Sequence, residues 1–248
     1  MTTERRDTTW RLAPKLPRPI IMDQFWADAV FLHWRIDSAA VAGHMPSGVV
    51  PDEVDGSSWV GLIGFRMVGA GLGQGLPVRY LGSFTEINVR LYSRGPDGTR
   101  GVVFVTLDAS RLAVVLAARA GGIPYVWSRC TPLTRGEGAQ REYGYDVDRY
   151  RRQATSRFAV SPDTASTAQG TVSLELTARF GLHSTFAGRT LYIPNTHTPW
   201  PLHHATLTEF DDGLLGAAGL RVQGPPESVL FSSGVQTQFG KPRVVHRG

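Results

Sequence analysis

Short runs in which apolar and polar side chains alternate dominate this chain, and they predict strands far more often than helices. The clearest is Ser83 to Tyr92, SFTEINVRLY, where Thr85, Ile87, Val89 and Leu91 occupy one set of alternate positions. Successive side chains of a strand project to opposite faces, so Phe84, Glu86, Asn88, Arg90 and Tyr92 share the other face, with an acid and a base two pleats apart. Comparable runs predict strands over 30–36, 58–68, 84–92, 102–108, 141–147, 151–160, 171–179, 190–193, 205–209 and 228–232, the last continuing toward Phe239. Between Tyr92 and Val102 the segment SRGPDGTRG supplies the fixed φ of Pro96 and the positive φ of Gly98 that a tight reversal needs, so the two flanking strands should form an antiparallel hairpin.

Helical periodicity is scarce. The segment DASRLAVVLAARAGG, residues 108–122, offers Asp108 or Ser110 as an N-cap, a run of strong helix formers and a glycine pair as a stop. Its apolar residues nearly encircle it, which predicts a buried helix. Shorter helices are expected after Asp37, in DSAAVAGHMP, and near residue 215, in DDGLLGAAGL. One good helix among many strands implies a mainly β fold, a barrel or sandwich plugged or flanked by that helix.

At 248 residues, 42% of them hydrophobic, the chain can bury a large core in one domain, expected over 21–248. Residues 1–20, rich in basic residues and proline, read as an extended arm. The formal charge is +5 with a pI near 9.7, but the basic residues are scattered among the acids, against the clustered stripe that nucleic acid requires. Lys15 and Lys241 are the two lysines among 26 basic residues, which leaves little for chemistry that needs an amine nucleophile. A single cysteine, Cys130, excludes an internal disulfide and a cysteine metal cluster. Neither a signal-like apolar run at the start nor a membrane-length apolar segment is present, so a cytoplasmic protein without membrane contact is expected.

The ordered blocks FLHWRID, DGSSWVGLIGFRM, FTEINVRLY, GVVFVTLDASR, GGIPY, HTPWPLHHA and SSGVQTQFGKPR, spread over residues 22–245, resemble the uncharacterised YqjF-like family of the acetoacetate decarboxylase-like superfamily. The resemblance implies an antiparallel, cone-shaped β-barrel with the superfamily's active site in its interior, and a habit of assembling that raises a homo-oligomer. In true acetoacetate decarboxylases a helix leads into a Gly-x-Pro-Lys-Lys turn whose first lysine forms a Schiff base. The similar passage here is AARAGGIPYVW, which puts Tyr125 and Val126 where both lysines would be. Glu86 is similar in placement to a glutamate of those enzymes, on a strand before the helix. A lysine Schiff base is therefore disfavoured while the barrel is kept.

Within that frame the face Phe84, Glu86, Asn88, Arg90, Tyr92 is expected to point inward. Glu86, Arg90 and Tyr125 are the candidate catalytic residues: Glu86 as acid or base, Arg90 as a forked clamp for an anion, Tyr125 as a neutral donor. His33, Asn88, Tyr92, His197 and Trp200 are candidate substrate-binding residues, with Trp200 pressed by Pro199 and Pro201 into the barrel mouth. A structural role competes at each: a hydrogen-bonded core histidine at His33, a lining residue at Tyr125, an ion pair between Glu86 and Arg90. His197, His203 and His204 lack metal-ligand spacing, GAGLGQGLP at 69–77 and Ser232-Ser233-Gly234 lack a phosphate-loop ending and read as a flexible lid or plain loop, and no dinucleotide fingerprint appears. The expected partner is a small organic acid or carbonyl compound, handled by lyase-like proton transfer without a cofactor. The competing expectation is a noncatalytic barrel whose interior is filled by Phe84, Tyr92, Phe104 and Trp127.

Overall fold

A computed structural model describes residues 12–73, 78, 82–151 and 154–245. The first eleven residues of the expected arm and residues 74–77 of the glycine-rich 69–77 stretch lie outside the described residues. Residues 12–21 form no helix or strand, and the Ile21 amide then donates to the Phe239 carbonyl at 2.9 Å, tying the segment to the last long strand.

Among the described residues the chain forms β1 (Met22–Ile36), helix α1 (Ser38–Val41), β2 (Val50–Pro51), β3 (Ser58–Leu72), β4 (Phe84–Arg94) and β5 (Arg100–Ala109). Helix α2 (Leu112–Ala120) leads to β6 (Tyr125–Arg135), β7 (Glu142–Arg149), β8 (Thr155–Pro162) and helix α3 (Thr171–Thr177). There follow β9 (Gly181–Phe186), β10 (Arg189–His197), β11 (Leu202–Asp212), helix α4 (Leu214–Ala217), β12 (Ser228–Phe239) and β13 (Arg243–Val244). The predicted hairpin is there: β4 and β5 pair antiparallel from Glu86 opposite Ala109 to Arg94 opposite Arg100, and Gly98 takes φ +79°, which a side chain would oppose. No described helix is long and apolar enough to cross a membrane.

The strand pairings close two rings that share a wall. One runs β1, β3, β4, β5, β6, β7, β8, β11, β12 and back to β1; the other leaves β5 through β9 and β10 and rejoins β12. Every pairing is antiparallel except those of β5 with β6 and with β9. The shared strands β1, β3 and β4 thus have both faces covered. One face sends Val30, Leu32, Trp34, Val60, Leu62, Ile87, Val89 and Leu91 into the larger ring, where they pack with Tyr145, Val147, Phe158 and Val160. The packing is close: a Cβ at Gly64 would collide with the Tyr145 ring. The other face, including the Glu86 side of β4, looks into the smaller ring.

Several expectations fail for physical reasons. Residues 171–177 are the helix α3 rather than a strand; its buried Ser173, Leu176 and Thr177 recur at helical spacing, and Leu176 packs with Trp59 and Tyr92, so tertiary contact overrides the β preference of its threonines and valine. Helix α2 lies where predicted but is not buried: among its residues Val115 alone is fully covered, and Leu116 is 58% exposed. Neither Asp108 nor Ser110 caps it. Arg111 occupies the cap position, while Asp108 remains in β5 and pairs with Arg149. Ser232, Ser233 and Gly234, read as a loop, belong to β12, and residues 69–72 of the other segment read so belong to β3.

Candidate functional site

The smaller ring encloses a cavity of about 570 Å³. Its walls come from alternate residues of the shared strands: Trp26 and Phe31 of β1, Ile63, Phe65 and Met67 of β3, and Phe84, Glu86, Asn88 and Arg90 of β4. The switch from even to odd positions in β1 has a local cause. At Asp28 the chain takes φ +51° and slips register against β3, a bulge anchored by Arg66, whose Nε and Nη2 reach Asp28 Oδ2 at 2.7 and 2.5 Å. A second slip, opposite Arg90, lets both Phe104 and Leu107 of β5 face the cavity. Ala113, Val114, Ala117 and Ala118 of α2 close one side, so the apolar residues that encircle this helix serve two surfaces, the cavity and the outside.

At one end stands a carboxyl-phenol pair. The Tyr125 hydroxyl donates to Glu86 Oε2 at 2.5 Å, and Asn88 Nδ2 donates to Glu86 Oε1 at 3.4 Å. Tyr125 reaches this place because α2 returns the chain parallel to β5, with Tyr125 beside Leu107, and because Arg119 Nε fixes the Tyr125 carbonyl at 2.6 Å. Glu86 is only 3% exposed. Burial drives its pKa up to about 7, against the pull of the Tyr125 and Asn88 hydrogen bonds, with the Asp108 charge adding to the rise. Burial, and then the neighbouring Glu86 charge, push the Tyr125 phenol well above its ordinary value, so it stays a neutral donor.

The other end is cationic. Arg90 Nε donates to the Tyr92 hydroxyl at 3.3 Å and Nη2 to the Leu176 carbonyl at 3.4 Å, and among the described residues no carboxylate pairs with it. The expected structural ion pair between Glu86 and Arg90 is therefore not formed. Arg179, also on the cavity wall, packs over the Tyr92 ring, its guanidinium 4.9 Å from the ring centre, and gives Nη1 to Asp52 at 2.5 Å. Asp52 is shared with Arg100, which also holds Glu175. Burial alone would raise the Asp52 carboxyl, but the Arg179 and Arg100 guanidiniums hold it below its usual value.

The predicted residues divide between the wall and the layer behind it. Glu86, Asn88, Arg90, Tyr125, His197 and Trp200 line the cavity. Trp200 stacks on Trp26 at 5.9 Å and meets Phe31 edge-on at 5.1 Å, as its proline-flanked loop implied. His197 Nδ1 lies 2.7 Å from the Thr198 carbonyl, and burial lowers its pKa. Tyr92 and His33 do not line the cavity: Tyr92 stands behind Arg90, and His33 is fully buried with neither ring nitrogen hydrogen-bonded among the described residues, where the expected hydrogen-bonded core histidine is not formed. Burial, then the charges of Arg90 and Arg179, lower the His33 pKa well below its ordinary value. The expected filling of the interior also fails at Trp127, which is 38% exposed and packs at a tilt against Tyr150 outside the cavity. His203 bonds the Ser166 carbonyl and His204 is exposed. Both lysines are exposed and off the cavity wall.

Among the polar wall residues that escaped the sequence reading are Gln24, Arg179 and Asn195. Asn195 could have been found by carrying the 190–193 alternation two pleats further, since Ile193, Asn195 and His197 share one face of β10. Arg179 had no such signal, because it follows a helix read as a strand. Asn88 Oδ1, Asn195 Oδ1 and Arg179 Nη2 are buried without a partner among the described residues.

Comparison with known proteins agrees with this architecture. The uncharacterized protein YqjF of Bacillus subtilis (strain 168) is 28% identical over 194 residues, 75% of this chain and 76% of that protein. An acetoacetate decarboxylase-like enzyme from Sphingomonas wittichii RW1 superposes with a TM-score of 0.64 at 12% identity, covering 95% of this chain and 99% of that one. The enduracididine biosynthesis enzyme MppR complexed with pyruvate gives a TM-score of 0.63 at 16% identity, over 93% and 92% of the two chains. These structural likenesses establish the acetoacetate decarboxylase-like fold. Residues 23–236 match the DUF2071 family, described as an uncharacterized conserved protein, and the chain belongs to that family, with YqjF among its relatives.

Proposed function

We propose that the cavity binds a small carbonyl compound carrying a carboxylate and that Glu86, partnered by Tyr125, moves a proton on it. The observation that carries this reading is the Glu86 carboxyl: buried, raised to about 7, hydrogen-bonded at 2.5 Å by a phenol, and not neutralised by the arginine on its own strand face. A base whose pKa lies near neutral pH is present in both protonation states there, which is what proton abstraction and return require. Tyr125 stabilises the carboxylate form and offers a hydroxyl beside it. Arg90 supplies a positive charge without a carboxylate partner among the described residues, in a cavity lined mainly by apolar residues, where a ligand carboxylate gains most from a forked contact. The relative complexed with pyruvate lends support by analogy of fold. With no lysine on the wall, the chemistry is enolisation or lyase-like cleavage through an enolate, not through an imine with this chain.

The test is exchange of the protons next to a carbonyl for deuterium, followed by NMR over a panel of oxo acids and ketones. Glu86→Gln should slow exchange by about 10²–10⁴-fold. In the parent protein the rate should rise as pH climbs through about 7, because the carboxylate is the active form. Exchange that is indifferent to Glu86→Gln overturns the reading.

A further inference from the structure

The two polar ends of the cavity are too far apart to act together on a short molecule. Glu86 and Arg90 lie four residues apart on β4, about 13 Å between Cα atoms at the ordinary rise of a strand. The arginine side chain does not fold back to close this distance. Its Nε is engaged by Tyr92, two residues further from Glu86, and its Nη2 by the Leu176 carbonyl of α3. The wall between them carries Phe31, Ile63 and Leu107, which cannot hold a charge, and Asn88, whose Nδ2 donates to Glu86.

The far end also has an arginine to spare. Arg100 and Arg179 are held by Asp52 and Glu175, whereas Arg90 meets no carboxylate among the described residues. His33 and His197, the titratable neighbours packed against it from β1 and β10, have lowered pKa values and add no charge at neutral pH. The one guanidinium without a carboxylate, Arg90, matches a single ligand carboxylate. A dicarboxylate would bury a second charge among apolar side chains. A cavity of about 570 Å³ lies in the range that holds drug-sized ligands, roughly 300–1,000 Å³, and leaves a three-carbon acid loosely held.

We infer that the cavity takes an extended monocarboxylate: its carboxylate against Arg90, its reacting carbonyl at Glu86 and Tyr125, and an apolar spacer of about six to eight carbons between them, the length that the four-residue strand separation sets. This rests on the proton-transfer function proposed above and names its ligand class. It excludes 2-oxo and 3-oxo acids as best ligands, because in them the carbonyl and carboxylate are adjacent or one carbon apart and cannot reach both ends.

Calorimetric titration of the full chain with pyruvate, 3-oxobutanoate, 9-oxodecanoate and uncharged 2-decanone tests it. 9-Oxodecanoate should bind at least ~10-fold more tightly than either short acid and than 2-decanone, and Arg90→Met should remove its advantage over 2-decanone. Since the chain-length comparison is made on the parent protein, it stands even if Arg90→Met does not fold. A short acid that binds as tightly as 9-oxodecanoate overturns the inference, yet leaves the proton-transfer reading in place if Glu86→Gln stops exchange on that acid. Tight binding of 9-oxodecanoate with exchange indifferent to Glu86→Gln overturns the proton-transfer reading, and with it the placement of the reacting end. Failure of all four compounds to bind overturns both.

Discussion

The raised pKa of Glu86 is a statement about folding as well as chemistry. In the unfolded chain its carboxyl titrates near the ordinary value of 4.5; in the folded chain it titrates near 7. Between these values the folded protein holds the proton and the unfolded chain has lost it, so stability falls as pH rises through that window and is level above it. The cost at alkaline pH is about 3 kcal/mol, from the separation of the two values at ~1.36 kcal/mol per unit. Gln in place of Glu86 carries no titrating proton and can still accept from Tyr125, while the unpartnered Asn88 Oδ1 can turn to accept its amide. Glu86→Gln should therefore stabilise the protein at about pH 8 and change little at about pH 4.5, measured by denaturant unfolding at both. A parallel shift at the two pH values would show that the carboxyl is not held protonated. Glu86 was legible because strand parity placed it with Arg90 and the resemblance placed that face inward. The role of His33 was not, because alternation along a strand gives the face a residue takes and not the depth at which it stops.

Among the elements, the segments hardest to read were those where one face must satisfy two neighbours. The first half of β1 was missed because the bulge at Asp28 breaks the alternation, and α3 was misread because its residues suit a strand until Trp59 and Tyr92 select the helix. Asp108, read as a helix cap, instead ties three strands together in the larger ring. Its carboxylate accepts from Arg149 of β7 at 2.7 and 2.6 Å and from Ser128 of β6 at 2.6 Å, with both charged side chains inaccessible. A sequence offers no sign of such a pair, since its members are 41 residues apart. Removing one partner strands a buried charge: Arg149→Met should cost about 3–5 kcal/mol, seen as a lower urea midpoint. The double variant Asp108→Leu with Arg149→Met should recover part of that loss, because the stranded carboxylate goes with its cation. If the double variant is no more stable than the single one, the pair is holding the strands in register beyond its charge balance.

For the molecule as a whole, the shared wall of β1, β3 and β4 explains how one sheet supports two different interiors. Its larger-ring face is a filled apolar core, and its smaller-ring face borders open volume edged with polar groups. The apolar Thr85, Ile87, Val89 and Leu91 face of β4 was legible as buried, and the resemblance placed the opposite, Glu86 face inside rather than in water; that two rings close on the two sides follows only from the pairings of β5 with β6 and β9. The difference between the interiors has a mechanical consequence. Leu62 is fully buried in the filled ring, so Leu62→Ala leaves a cavity that its packed neighbours cannot close and should cost about 2–5 kcal/mol. Phe104 is a larger side chain, yet its ring already faces open space, so fewer contacts are lost when it is truncated. Phe104→Ala should therefore cost less than Leu62→Ala despite removing more carbon, measured by guanidinium unfolding of the two variants. The reverse order would mean that the smaller ring is as tightly filled as the larger, and that the room on which a ligand depends is not there.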